Sequence, residues 1–138
     1  MRKTLIQTLI ISLFFISFNA IAEIKHIKEG NVDAKVKLIV FESLTCSHCG
    51  DFHKDIYPKL KTDFIDKNLI LIEFRNFPLD IAAFNAAKIA HCRNDGNSEI
   101  LHHLYNNQSS WVRGSTIEDL NKNLKRVVQE SGFKLDFD

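Results

Sequence analysis

A pair of cysteines separated by two residues is the part of this 138-residue sequence with the clearest chemical potential. Cys46-Ser47-His48-Cys49 forms a CxxC motif, whose two thiols lie close enough to bond to each other. A turn over residues 42–45 follows a predicted strand, so we expect Cys46 at the start of a helix. Free backbone N–H groups and the helix dipole stabilise a thiolate there, and a protonated His48 would add to that effect. The motif therefore predicts thiol–disulfide chemistry, in which an acidic Cys46 makes the disulfide form an oxidant.

The first 22 residues have the pattern of a secretory signal peptide. Arg2 and Lys3 give a basic start, an apolar run extends from Leu5 to Phe18, and Ala20-Ile21-Ala22 supplies the small residues that a signal peptidase reads. The alternative is an uncleaved anchor, but the apolar run is shorter than the roughly 20 residues that span a bilayer. We expect a signal peptide over residues 1–22, cleaved after Ala22, and a periplasmic domain over residues 23–138. Export would place the cysteines where disulfides persist.

Composition and charge exclude several classes of protein. Lys+Arg 18 against Asp+Glu 17 leaves no field that would attract a nucleic acid, so none is expected as a partner. A hydrophobic content of 45% is typical of a globular domain, and the length suits one domain. Three cysteines are an odd and small number, which argues against a purely structural disulfide framework.

Two apolar runs and an amphipathic segment predict a βαβ unit over residues 33–79. The runs from Val36 to Phe41 and from Leu69 to Phe74 read as strands, and the first lacks polar alternation, which favours a central strand covered on both faces. Between them, apolar residues recur every four positions at Phe52, Ile56, Leu60 and Phe64, which predicts one buried helix face. Pro58 should kink or restart that helix. A connection of this kind makes the two strands parallel.

The segment 80–132 is predicted to be a helical subdomain. Asp80 is a candidate N-cap of an Ala-rich helix that continues to Arg93, and Ser98 is a candidate N-cap of a second, short helix. After a polar loop, Thr116 and Asp119 have the spacing of a capping box and open a third helix, which should stop near residues 131–132.

The active-site segment resembles that of DsbA-like thiol:disulfide oxidoreductases. The similarity lies in Glu42 to Cys49 with Asp51-Phe52-His53 after it, in Arg75 to Leu79 after the second strand, and in the Ala-rich helix with Cys92. The resemblance implies an α/β, thioredoxin-like fold with a helical insert. It also implies that Cys46 exchanges disulfides with client thiols, that Cys49 resolves the mixed disulfide, and that a quinone-linked, DsbB-like membrane oxidase restores the Cys46–Cys49 disulfide.

Two features depart from the family pattern. DsbA itself has proline at the place of Ser47, in the dipeptide that helps to set the reduction potential. The family also continues after its helical insert with two strands, a helix and a cis-proline loop, whereas Pro58 and Pro78 both precede that place. We therefore expect the C-terminal β-β-α part of the fold to be missing from this chain, and we assign no cis-proline.

For several other residues we expect a structural or solvent-exposed position rather than a part in the chemistry. Cys92 is expected to be a small buried hydrophobe in the helical subdomain. Glu42 could accept the proton of Cys49, but its place at a strand end favours simple solvent exposure. His53 is expected on the surface of the helix, His102-His103 as an ordinary polar patch, and Trp111 as a partly buried anchor of its loop.

Two alternative functions use the same residues. One is a non-catalytic remnant or interaction module that retains the CxxC motif but lacks the closing part of the fold. The other is a zinc-binding protein, for which only His91-Cys92 and His102-His103 could complete the ligand set. Adjacent residues on a helix point in different directions, so these pairs chelate poorly. We expect no metal and no cofactor.

Overall fold

The computed structural model describes residues 23–135, in which a small sheet is followed by a group of helices. The sheet contains β1 (Ile27–Gly30), β2 (Val36–Glu42) and β3 (Ile70–Asn76) in the order β1-β3-β2. Strands β2 and β3 pair in parallel, as predicted, and β1 pairs antiparallel to β3. The predicted signal peptide lies outside the described residues. Within residues 23–135, no helix is both long and apolar enough to cross a bilayer.

The central strand is β3 rather than β2. Residues 70–74 of β3 are all buried, whereas most of β2 is exposed, and Phe41 keeps 63% of its surface. The prediction that Val36 to Phe41 forms a central strand covered on both faces is therefore wrong. Both strands are runs of apolar residues, and their local sequence does not show which of them lies between two partners.

The strand that makes β3 central was not predicted. β1 has the sequence Ile27-Lys28-Glu29-Gly30, in which the apolar Ile27 is followed by two charged residues. It lies before the βαβ unit predicted over residues 33–79 and gives a third strand where we expected two. Gly30 ends the strand with φ of 95°, and a Cβ there would collide with the carbonyl oxygen of Ile70, so the turn requires glycine.

The helical segment after the CxxC motif is not a regular α-helix. It consists of α1 (Ser47–Asp51), a first π-helical turn (Phe52–Ile56), α2 (Tyr57–Leu60) and a second π-helical turn (Lys61–Ile65). Pro58 lies at the start of α2, so the predicted interruption is confirmed. A π-helical turn holds more residues than an α-turn and shifts the buried face. The predicted face is therefore wrong in part: Ile56 and Phe64 are exposed, whereas three others point inward, namely His53, Tyr57 and Ile65.

The predicted helical subdomain contains four helices: α3 (Ile81–Ala90), α4 (Glu99–Asn106), α5 (Gln108–Trp111) and α6 (Ile117–Glu130). Both strong start signals are confirmed. The Asp80 carboxylate accepts a hydrogen bond from Ala83 N at 2.7 Å, and Thr116 with Asp119 forms a reciprocal capping box. Ser98 precedes α4 without a side-chain cap hydrogen bond.

One apolar core joins the sheet to these helices. It includes Ile72 and Phe74 of β3, Leu101 and Leu104 of α4, and Val128 of α6. Trp111 is fully buried rather than a partly exposed loop anchor, and its indole N–H donates to Leu104 O at 3.0 Å. The core thereby fixes α4 and α5 against the part of the sheet from which the CxxC motif starts.

Candidate active site

Cys46 lies at the junction between the sheet and α1. It is the N-cap residue of α1, and its own N–H donates to Ser43 O at 3.0 Å in the turn that follows β2. Gly50 N in turn donates to Cys46 O at 3.1 Å. Cys46 and Cys49 are both free thiols and partly buried. The two thiols therefore lie at a helix N-terminus, where the first backbone N–H groups have no partner within the helix.

The two thiols have opposite electrostatic environments. Hydrogen bonds from the backbone N–H of Cys49, from its thiol and from the backbone N–H of His48 lower the pKa of Cys46. They outweigh burial and the charge of Asp51, which act in the other direction. Burial raises the pKa of Cys49, as do the neighbouring Cys46 and the carboxylate of Glu42. The pair thus combines a thiol stabilised as thiolate with one held as neutral thiol.

His48 contributes through its main chain in this arrangement. Its side chain is 94% exposed, and Nδ1 lies 3.8 Å from Asp51 Oδ2. Its backbone N–H, by contrast, is one of the groups that lower the pKa of Cys46. The role predicted for a protonated imidazole remains a prediction.

A glutamine from the helical subdomain holds the active-site turn. Gln108 Nε2, at the start of α5, donates to Leu44 O at 2.8 Å and to Cys46 O at 2.9 Å. Gly50 leaves room for this amide, because a Cβ there would collide with Gln108 Oε1. This contact could not be predicted from the sequence, since the two segments are more than 60 residues apart.

The side of the turn that faces α3 is also held by hydrogen bonds. Thr45 Oγ1 donates to Asp80 Oδ2 at 2.7 Å, so the residue that caps α3 also binds the residue before Cys46. Leu79 N donates to Ser43 Oγ at 3.3 Å. The turn is therefore attached to both α3 and α5, and these hydrogen bonds restrict the movement of the segment that carries Cys46.

Glu42 and His53 form a buried pair beneath the cysteines. Glu42 Oε2 and His53 Nε2 are 2.7 Å apart, and both side chains are almost completely buried. The expectations of solvent exposure for Glu42 and of a surface position for His53 are both wrong. His53 lies in the first π-helical turn, which shifts the buried face of the segment by comparison with an α-helix. The ring of Tyr105 stacks on His53 with centroids 3.8 Å apart.

The three remaining candidate residues have different surroundings. His102 is not part of a simple polar patch, because its Nε2 lies 2.6 Å from Glu29 Oε1 and its Nδ1 lies 3.2 Å from His53 Nδ1. His103 points elsewhere, to Val127 O. Cys92 is exposed beyond the end of α3, so the expectation of a buried residue is wrong. Cys92 follows the last turn of α3 and therefore does not lie on the buried face of α3, which the alanines form.

Within residues 23–135, no group of three or more His, Cys, Asp or Glu side chains is placed to hold a metal ion. The backbone N–H groups of His48 and Cys49 donate to the Cys46 sulfur, which suits a thiolate. What the arrangement can do chemically is exchange a disulfide at Cys46 while keeping the second thiol protonated until it is needed.

Comparisons with known proteins point to the same chemistry. A family model described as thioredoxin matches residues 23–136. A Rickettsia bellii protein that carries the name of a protein-disulfide oxidoreductase is 36% identical over 93 residues, which are 66% of this chain and 36% of the relative. Disulfide bond formation protein D of Bacillus subtilis is 27% identical over 74% of this chain and 50% of its own length.

A solved structure shows the same fold. The crystal structure of alpha-DsbA1 from Wolbachia pipientis matches with a TM-score of 0.70 and 33% identity, over 80% of this chain and 56% of that chain. The chain thus spans between about a third and just over half of the length of these relatives.

Proposed function

Because the chain belongs to the thioredoxin family as a DsbA-like member, we propose that it exchanges its Cys46–Cys49 disulfide with the thiols of client proteins and promotes disulfide formation. The observation that carries this proposal is the asymmetry of the pair: the pKa of Cys46 is lowered at the N-terminus of α1, and the pKa of Cys49 is raised by burial. A good leaving thiolate beside a protonated partner is the arrangement that thiol–disulfide exchange requires.

The reaction proceeds in two balanced steps. A client thiolate attacks the Cys46 sulfur, the client–Cys46 bond forms, and the electron pair of the Cys46–Cys49 bond passes to Cys49, which takes up a proton. A second client thiolate then attacks the client sulfur of the mixed disulfide, and Cys46 leaves as a thiolate. The client is oxidised by two electrons and the CxxC pair is reduced by two. Stabilisation of the Cys46 thiolate favours this direction because Cys46 is the leaving group of the second step.

Trapping of the mixed disulfide tests the roles of the two cysteines. In a Cys49→Ala variant, the Cys46 thiolate can attack a client disulfide and displace one client thiolate, but no resolving thiol is present to release the client, so mixed disulfides should accumulate. A Cys46→Ala variant, which keeps only the partly buried Cys49 of the pair with its raised pKa, should trap little, and Cys92→Ala controls for the exposed third cysteine. Equal trapping by the first two variants would contradict the assignment. If neither variant traps clients, the CxxC motif belongs to an interaction module instead.

We further propose export to the periplasm, with a signal peptide over residues 1–22, and reoxidation by a quinone-linked, DsbB-like membrane partner. The residue pattern at positions 1–22 supports export. The name of the Bacillus subtilis relative, a disulfide bond formation protein, supports exchange in the oxidising direction, which requires a partner that restores the disulfide. Mass spectrometry of the chain recovered from a periplasmic fraction should show a new N-terminus at Glu23. An intact N-terminus at Met1 in that fraction would contradict cleavage.

A further inference from the structure

A chain of four ionisable side chains extends from beneath the cysteines to the opposite side of the helical segment. Glu42 of β2 contacts His53 at 2.7 Å, His53 contacts His102 of α4 at 3.2 Å, and His102 contacts Glu29 of β1 at 2.6 Å. These distances are those of hydrogen bonds. Four separate elements therefore each supply one member of a continuous hydrogen-bonded chain.

Each of the three contacts in this chain requires one shared proton. A carboxylate has only acceptors, and a neutral imidazole has one donor and one acceptor nitrogen. The central contact joins Nδ1 of His53 to Nδ1 of His102, so one of these two nitrogens must carry a proton. The two outer contacts, to Glu42 and Glu29, require one proton each. Two neutral imidazoles supply only two, so the intact chain holds one additional proton.

The inner end of this chain has an unused acceptor. Glu42 Oε1 is buried, and among the described residues it has no hydrogen-bond partner. An unpaired buried oxygen is costly, and such a group commonly marks a functional position. The Glu42 carboxylate is also one of the charges that raise the pKa of Cys49.

The outer end of the chain reaches solvent. The His102 side chain is 19% exposed and lines a surface cavity together with Tyr57, Lys61 and Asn106. Charged groups at this end are Glu29, which accepts a hydrogen bond from the Tyr57 hydroxyl at 2.6 Å, and Lys61, whose Nζ is 4.0 Å from Glu29 Oε2. Lys61 Nζ also binds Asp66 at 2.7 Å.

Between the two ends, the chain is enclosed by aromatic rings. Tyr105 of α4 stacks on His53, and Tyr57 stacks on His102 with centroids 4.3 Å apart. Phe74 of β3 contacts both imidazoles edge-on or tilted, at 5.4 and 5.5 Å. The enclosure strengthens the hydrogen bonds along the chain, because the local dielectric constant is low.

We propose that Glu42, His53, His102 and Glu29 form a proton relay that connects Cys49 to the surface cavity at His102. The relay deepens the proposed function and rests on it. With the additional proton on the imidazoles, His102 starts with protons on both ring nitrogens and His53 with a proton on Nε2. When the Cys46–Cys49 bond breaks and its electron pair passes to Cys49, the Nε2 proton of His53 passes through the Glu42 carboxylate to the Cys49 sulfur, and the Nδ1 proton of His102 passes to His53 Nδ1. His102 keeps its Nε2 proton beside Glu29, and one solvent proton then enters at the His102–Glu29 end to replace the proton given to Cys49. Reoxidation reverses these transfers.

The shared proton can be tested without any measurement of activity. In the full chain labelled with ¹⁵N-histidine, a proton held between the two Nδ1 atoms should produce a ¹⁵N–¹⁵N coupling across the hydrogen bond from His53 to His102. A matched His102→Gln variant should lose that coupling. Two imidazoles protonated only on Nε2, with no coupling between them, would overturn the proposal.

The transfer itself can be tested by chemical rescue. We expect His102→Ala to slow reduction of the Cys46–Cys49 disulfide by a thiol peptide at least about tenfold, a modest part of the 10²–10⁴-fold that a positioned proton donor contributes. Added imidazole, which fits the gap at the surface cavity, should restore the rate. His103→Ala, on the same helix but bound to Val127 O, should react like the wild-type chain and not respond to imidazole.

A second variant separates proton transfer from folding. The amide of His102→Gln can still hydrogen bond with both neighbours but cannot pass a proton, so this variant should fold and remain slow. A wild-type rate in His102→Gln, or a slow His102→Ala that imidazole does not restore, would overturn the relay. If the wild-type chain itself fails to exchange disulfides, the proposed function is wrong, while the nitrogen coupling still decides whether the proton is shared.

Discussion

At the scale of single residues, the same thiol group behaves differently at two positions only three residues apart. Cys46 faces the unpaired N–H groups at the start of α1, and Cys49 lies one turn further, towards the buried Glu42. Backbone hydrogen bonds lower the pKa of the first, and burial raises that of the second. The position of Cys46 could be predicted because strand, turn and CxxC follow one another in sequence. The Glu42–His53 pair could not, because it depends on the packing of α4 over the first π-helical turn.

Glu29 should make the stability of the protein depend on pH in the acid range. Burial alone would raise its pKa, but hydrogen bonds from three side chains outweigh it and lower the pKa from 4.5 to about 2; they come from His102, Tyr57 and Ser98. A lowered pKa stabilises the folded state above pH 4.5, and this contribution disappears as the pH falls towards 2. Because the Glu29 side chain is only 13% exposed, solvent screens these interactions little. The shift in its pKa then corresponds to about 3 kcal/mol of folding free energy.

Urea denaturation between pH 5 and pH 2 measures this contribution. The wild-type chain should lose it progressively over that range, and Glu29→Gln should show a correspondingly weaker pH dependence. Glu118→Gln removes an exposed carboxylate from the first turn of α6 and should leave the dependence unchanged. A Glu29→Gln variant with the full wild-type slope would contradict the assignment of this effect to Glu29.

At the scale of elements, the helices that the sequence predicts are placed by contacts that it does not reveal. The caps at Asp80 and Thr116 depend on side chains within four residues of the helix start, so their types and spacing were enough. The contact of α5 with the active-site turn joins residues far apart in the chain. β1 was missed because a single buried isoleucine beside charged residues does not resemble a strand.

Loss of the Gln108 amide should destabilise the active-site turn. Gln108→Ala removes two hydrogen bonds and leaves the carbonyls of Leu44 and Cys46 without this donor. An unsatisfied buried group costs about 1–3 kcal/mol. Denaturation should show a loss of about 2 kcal/mol, and Gln129→Ala, an exposed glutamine on α6, should cost almost nothing.

The close contact between Gly50 and Gln108 provides a second test of the same contact. The methyl group of Gly50→Ala collides with the amide oxygen of Gln108 and should displace the amide. The double variant Gly50→Ala/Gln108→Ala should therefore be no less stable than Gln108→Ala alone. Full additivity of the two losses would show that the amide does not hold the turn.

At the scale of the whole molecule, the order β1-β3-β2 leaves β2 as an edge strand. Its apolar residues continue into an exposed groove that Phe41 shares with Phe84 of α3. The α/β class and the parallel pair could be predicted from the apolar runs and the helix between them. Which strand is exposed could not, because strand order is set by pairing between distant segments.

The exposed groove should cause the chain to associate with itself. Apolar side chains on an uncovered edge strand favour contact between molecules. We expect sedimentation velocity to show association that increases with concentration and that Phe41→Ser reduces. Phe64→Ser, an exposed phenylalanine in the second π-helical turn, should leave the association unchanged. Association that is equal in wild type and Phe41→Ser would contradict a role for this groove.

Titration of the Cys46 thiolate by its ultraviolet absorbance tests directly whether the N-terminus of α1 activates this thiol. A Cys49→Ser/Cys92→Ser variant leaves only Cys46, and a Cys46→Ser/Cys49→Ser variant leaves only the exposed Cys92 as a reference within the same fold. We predict that Cys46 titrates well below Cys92 and below the value of about 8.5 for a free cysteine. A Cys46 midpoint at or above that of Cys92 would mean that the N-terminus of α1 does not activate the thiol. The proposed exchange chemistry would then be contradicted.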